Sequence, residues 1–197
     1  MNFVTVDVNL NEQIQFDRAK LLDVVHYVCA KVPVAELGRV RLHRILYLSD
    51  MLHFTATGRP LTGADYQKQP FGPYARYLVS AIRALKDNGS LDVRRRHYFG
   101  FPKHDFIALR PFDSSRLAGE ELRLIDDVID FVCGKSTREF SELNPDAALE
   151  VIAMGERIPY FTAFYFYPVE ITDEDVAWGE AEARRIIAER DGQKSKI

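Results

Sequence analysis

Val4, Val6, Val8 and Leu10 alternate with Thr5, Asp7 and Asn9, a period of two that predicts a strand with one apolar face. From Asp17 the period lengthens. Leu21, Leu22, Val25 and Val28 fall at helical spacing, Asp17 can cap that helix, and Pro33 stands at its expected end. A second helix is predicted from about Arg39 to Ala56, with Leu42, Ile45, Leu46, Ser49, Leu52 and His53 on one stripe and Gly58 placed as a left-handed cap. Arg59-Pro60-Leu61-Thr62-Gly63 reads as a loop, and Ala64 to Gln69 as a short extended segment.

Phe71-Gly72-Pro73 turns the chain, and Pro73 suits the first turn of a helix that carries Tyr77, Leu78, Ala81, Ile82 and Leu85 and ends at Asn88-Gly89. Leu91–Phe99 and Asp105–Leu109 predict two strands of a β-hairpin around Gly100-Phe101-Pro102-Lys103. A helix follows from about Ser115 to Cys133, closed by Gly134, and Ser136 with Glu139 has the capping-box spacing of another. Ile158–Tyr167 is aromatic and β-prone, and Thr172 opens a last amphipathic helix containing Val176, Trp178, Ala181, Ile186 and Ile187. The order of elements predicts an α+β fold: a mainly α-helical single domain over residues 1–190 with a small antiparallel β-hairpin or sheet, and a polar tail at 191–197.

Composition narrows the class. With 197 residues, 47% of them apolar, the chain can bury a core without disulfides. Cys29 and Cys133 lie in apolar stretches outside any C-x-x-C pair and read as reduced, buried thiols of a cytoplasmic protein. The first fifteen residues hold no Lys or Arg and no long apolar run, so no signal peptide is expected, and no run of about 18 apolar residues predicts a membrane span. A net charge of −3 gives no global reason to expect nucleic acid as a partner.

The chain lacks a recognisable catalytic pattern. Gly134-Lys135-Ser136 resembles the end of a phosphate loop, but the required earlier glycine is Ile129 and the segment follows a helix rather than a strand. His43, Asp50 and His53 share the second helix, yet His43 and Asp50 are separated by a rise of roughly 10 Å, and two ligands do not make a zinc site. Asp126, Asp127 and Asp130 read as a solvated helix face. No catalytic residue, metal or cofactor is expected.

One stretch is more specific. Arg41-Leu42-His43-Arg44-Ile45-Leu46-Tyr47-Leu48-Ser49-Asp50 is followed by Thr57-Gly58-Arg59-Pro60-Leu61 and then by Ala64-Asp65-Tyr66-Gln67-Lys68-Gln69-Pro70-Phe71-Gly72-Pro73. A leucine–tyrosine helix, a T-G-[RK]-P loop and an extended segment closed by aromatic-Gly-Pro resemble the Panacea domain of SocA-like antitoxins from bacteria and phages. The resemblance is good from about Leu21 to Leu91 and recurs near Met154–Tyr160. Many relatives carry a histidine after a Leu-Ser pair and a tryptophan before the later segment; here Asn144-Pro145 follows Leu143, and Leu149 stands near the tryptophan position. The resemblance implies a non-catalytic protein that neutralises a cognate protein toxin by direct protein–protein contact, or acts as a proteolytic adaptor that delivers the toxin to an ATP-dependent protease.

Several residues can carry such contacts. His43, Tyr47, Asp50 and Phe54 line up on the second helix, either as part of a partner groove or with Tyr47 and Phe54 under the Phe71-Gly72-Pro73 turn and Asp50 accepting from that turn's backbone. Tyr66 and Gln67, before Phe71 and Gly72, lie on a segment that can accept a partner strand if its edge is open. Arg94, Arg95, Arg96 and His97, with Lys103 and His104 across the turn, form a basic hairpin. It supports an alternative, a winged-helix-like DNA-binding regulator, against the simpler reading of a solvated charged strand. Tyr160, Phe161, Phe164, Tyr165, Phe166 and Tyr167 are dense enough that any left exposed are natural partner anchors.

Overall fold

A computed structural model of the chain describes residues 14–98, 101–134 and 143–167, together with Ala177. The strand expected at Val4–Leu10, the capping box at Ser136 and Glu139, and the helix from Thr172 lie outside the described residues. The chain divides into two compact units, Met1–Tyr167 and Pro168–Ile197, and the elements that follow belong to the first.

Helix α1 spans Arg18–Lys31, and the Asp17 carboxylate accepts from the Lys20 N–H as its cap. Helix α2, Arg39–Thr57, ends at Gly58 in the left-handed region. Strands β1, Tyr66–Gln69, and β2, Gly72–Ala75, form a two-stranded antiparallel sheet. Helix α3 is Leu78–Asp87. Strands β3, Leu91–Tyr98, and β4, Phe101–Ala108, pair antiparallel as a second sheet. A 3₁₀ turn at Ser114–Arg116 leads into α4, Gly119–Val132; a short α5 covers Ala147–Glu150, and a 3₁₀ segment spans Tyr160–Phe166. The architecture is mainly helical α+β, as expected.

Helix α2 is the centre. From Leu42 to Leu52 every residue except Arg44 is buried, so the helix is enclosed on all sides rather than along one stripe. It packs against α1, α4, β2 and the 3₁₀ segment. Charged pairs tie α1 to α4. Glu121 accepts from Lys20 at 2.7 Å and from the Ala118 N–H at the start of α4. Asp126 takes the Tyr27 hydroxyl at 2.6 Å and the Lys31 ammonium at 2.9 Å. Asp126 is thus a helix–helix tie rather than part of a purely solvated face.

Three local expectations are corrected. Pro73 opens no helix. It lies in β2, because Gln69 pairs with Gly72 across a two-residue Pro70-Phe71 turn and the chain runs back along β1 before α3 begins. Gly72 has φ +109°, a conformation side chains resist, which explains a glycine at that corner. The second hairpin is tighter than expected: Tyr98 pairs with Phe101, so β4 begins four residues earlier than Asp105. Ile158–Tyr167 forms no strand; Tyr160–Phe166 is a 3₁₀ segment, and the strand-like bridge of Gln67 with Arg157 comes just before this stretch. No disulfide joins Cys29 and Cys133; Cys133 is half-buried rather than buried, and burial pushes the Cys29 thiol up to about 12, which leaves it unreactive.

Candidate functional site

The expected partner row sits around a buried knot. Asp50 is wholly enclosed and accepts from the Thr62 N–H, from Thr62 Oγ1 at 2.6 Å and from the Tyr66 hydroxyl at 2.6 Å. The Tyr160 hydroxyl lies 3.2 Å from Asp50 and 2.7 Å from the Ala64 carbonyl. These bonds join α2, the loop after it, β1 and the 3₁₀ segment. They also correct the expectation that Asp50 caps the Phe71-Gly72-Pro73 turn, since its partner is the Leu61–Gly63 loop. Burial raises the Asp50 pKa despite the donors around it, and raises those of Tyr66 and Tyr160. The loop closes tightly: Asp17 N–H donates to Thr62 O at 2.8 Å, and Gly63, at φ +68°, lies where an added Cβ would come within 2.2 Å of the Gln15 carbonyl oxygen.

The residue that meets the hairpin backbone is His43. Its Nδ1 accepts from the Ala75 N–H at 3.0 Å, and its ring packs on Tyr74 at 4.6 Å between centroids. Burial, reinforced by Arg39, lowers its pKa to about 4. The ring is therefore neutral near pH 7, and with Nδ1 accepting, the proton is on Nε2. That Nε2–H is buried with no hydrogen-bond partner among the described residues. A depression of about 140 Å³ lies beside it, lined by Arg39, Val40, Phe71, Pro73 and Tyr74 among others.

Of the eight expected contact residues, His43, Tyr47, Asp50, Phe54 and Tyr66 are buried, and Gln67 and Gly72 are half-buried. Tyr47 packs edge-on against Tyr66 and Phe166, and Phe54 against Tyr160 and Phe164 rather than under the turn. Phe71 differs: it is 82% exposed at the tip of the first hairpin. The open edge expected at β1 is filled. One side pairs with β2; on the other, Lys68 N–H donates to Glu156 O at 2.9 Å, Gly155 N–H to Lys68 O at 2.8 Å and Ile158 N–H to Tyr66 O at 2.8 Å. Strand addition at Ala64–Gln69 is ruled out in this fold.

The basic hairpin is partly neutralised by its own acids. Arg94 pairs with Asp92 at 3.0 Å, Arg96 with the buried Asp105 at 2.8 Å and Lys103 with Asp105 at 3.3 Å. Lys103 also donates to the Val34 and Ala35 carbonyls, which pins the hairpin to the α1–α2 connection. Arg95 has no ion pair among the described residues. It shares a cleft with Arg83, Lys86 and His104 between α3 and the hairpin, over Val79, Ile82 and Val93. The sequence pattern did not single out Arg39, Arg83 or Lys86, because they lie on two different helices and form no run of charge; their proximity to the hairpin is tertiary.

The aromatic segment splits. Tyr160 and Phe166 are core, while Phe161, Phe164, Tyr165 and Tyr167 are between 42% and 56% exposed. Val151 and Met154, in the preceding stretch, are also exposed. Among the described residues no helix is long and apolar enough to cross a membrane, and no group of three or more His, Cys, Asp or Glu is placed to hold a metal ion.

A helical core that buries its polar row and leaves aromatic rings and unpaired cations outside defines a surface suited to contact with another macromolecule. The family is specific: the model of the SocA-like antitoxin, Panacea domain, matches residues 42–148, more than half of the chain, and the chain belongs to that family. The match runs from α2 through the two hairpins and α4 into α5. No curated protein and no solved structure matches the chain.

Proposed function

We propose that the chain is a non-catalytic antitoxin that works in the cytoplasm by holding a cognate protein toxin through direct contact. The observation that carries this, beside family membership, is the exposure of Phe161, Phe164, Tyr165 and Tyr167 within seven residues on and just after the 3₁₀ segment. Large rings order few torsions when they bind and dominate interface energetics, so such a face favours a protein partner. Contact alone can neutralise the toxin by occlusion, and the same contact can serve an adaptor that presents the toxin to an ATP-dependent protease.

The test is co-expression. The product of the adjacent open reading frame, expressed alone, is expected to arrest growth; adding this chain restores growth, and the two copurify. Harmless neighbours on both sides with no copurifying chain contradict the proposal. Toxin half-life separates the two modes: it is unchanged under occlusion and shortened under delivery. The DNA-binding alternative loses support because, of Arg94, Arg95, Arg96 and Lys103, only Arg95 has no ion pair among the described residues.

A further inference from the structure

The depression beside His43 is one end of a longer groove. A second depression, of about 280 Å³, shares Arg39 and Val40 with it and reaches His104. A third, of about 540 Å³, shares His104 and continues between α3 and the hairpin to Arg83, Lys86 and Arg95. The shared lining residues place the three next to one another.

The groove carries an excess of available positive charge. Arg39, Arg83, Lys86 and Arg95 are exposed and have no ion pair among the described residues. Against them the lining offers Glu36, which is already engaged, and Asp87. Arg39 and Arg95 both act to lower the His104 pKa, after burial, so their fields meet in the middle of the groove. Each end also carries apolar side chains beside its cations: Val40, Phe71, Pro73 and Tyr74 at one, Val79, Ile82 and Val93 at the other. At the first end the single buried donor without a partner is His43 Nε2–H.

We infer that this groove docks an acidic segment of a partner protein that carries an apolar anchor residue. The anchor seats between Phe71 and Tyr74, and the acidic residues that follow meet Arg39, Arg95, Arg83 and Lys86. A peptide fits better than a nucleic acid: the depression beside Phe71 is mostly apolar and suits a side-chain anchor, and the outward Arg94 and Arg96 that would extend a phosphate track are paired. The inference rests on the reading of the chain as a protein-binding module and not on the partner being a toxin.

The experiment is fluorescence anisotropy with the full chain and a labelled glutamate-rich peptide bearing one phenylalanine. Its companions are the same peptide with glycine for phenylalanine, the same with glutamine for glutamate, and a labelled DNA duplex. Arg39→Glu, Arg95→Glu and Phe71→Ala alter exposed side chains, and circular dichroism checks that each variant folds. Binding of the phenylalanine peptide is expected to weaken about tenfold in each arginine variant. Phe71→Ala is expected to weaken it to the level of the glycine peptide, which the same variant does not affect. Equal binding of the phenylalanine and glycine peptides to the wild type, no loss on charge reversal, or preference for the duplex each overturns the inference. Because the probe is synthetic, its failure leaves the toxin reading to the co-expression test.

Discussion

At the scale of single residues, two buried ionisable groups pull stability in opposite directions with pH. Asp50 is held above the ordinary carboxylate range by burial, so the folded chain keeps its proton to higher pH than the unfolded chain. Its contribution is complete below the unfolded carboxylate's pKa and is lost as pH rises through the folded value. His43 is held down at about 4 against an ordinary 6.5. Its contribution is complete above 6.5 and is lost as pH falls toward about 4, a loss of up to about 3 kcal/mol. Urea unfolding at pH 7 and pH 4.5 is expected to show that loss in the wild type, and His43→Asn is expected to shrink it. An equal slope in both places the titrating group elsewhere. Asp50→Ala strands the Thr62 and Tyr66 donors in the core. It is expected to cost about 3 kcal/mol or more, with Asp50→Asn costing less because one acceptor survives. Equal, small losses in both variants contradict the knot as a structural device.

At the scale of elements, the loop between α2 and β1 is set by backbone proximity. Gly63→Ala drives a Cβ into the Gln15 carbonyl and is expected to destabilise by more than about 2 kcal/mol. Gly58→Ala is also at positive φ but meets nothing within 4 Å, and is expected to cost about 1 kcal/mol. Comparable losses at both positions contradict the close approach at Gly63. Helices α1, α2 and α3 were legible because Asp17, Pro33, Gly58 and Asn88-Gly89 punctuate them locally. Pro73 misled because a proline suits a helix start and the edge of a short sheet equally well. What decides is the pairing of Gln69 with Gly72, which no local pattern shows. The filled edge of β1 was equally invisible, because residues 155–158 reach it from almost ninety positions away.

At the scale of the whole molecule, the family was readable from the G-R-P and F-G-P spacing and the aromatic run at 160–167 stood out as a source of anchors, but which of its rings reach solvent was not readable. The residues of that motif are largely those that hold the fold together: Asp50 and Tyr66 meet in the knot, and His43 braces β2. Helical spacing groups residues on a face without saying whether solvent or another element covers it, and here α2 is covered from Leu42 to Leu52 on every side but that of Arg44. The exposed rings at 161–167 are neighbours in sequence, whereas Arg83, Lys86 and Arg95, from α3 and β3, come together only in three dimensions. The most direct measurement is a pull-down of the adjacent gene product by the wild-type chain and by a Phe161→Ser, Phe164→Ser, Tyr165→Ser variant that keeps the wild-type circular dichroism. The account predicts that the wild type retains the toxin and restores growth while the variant does neither. Undiminished retention by the folded variant contradicts the aromatic face as the site of contact, and no retention by the wild type contradicts neutralisation by direct binding.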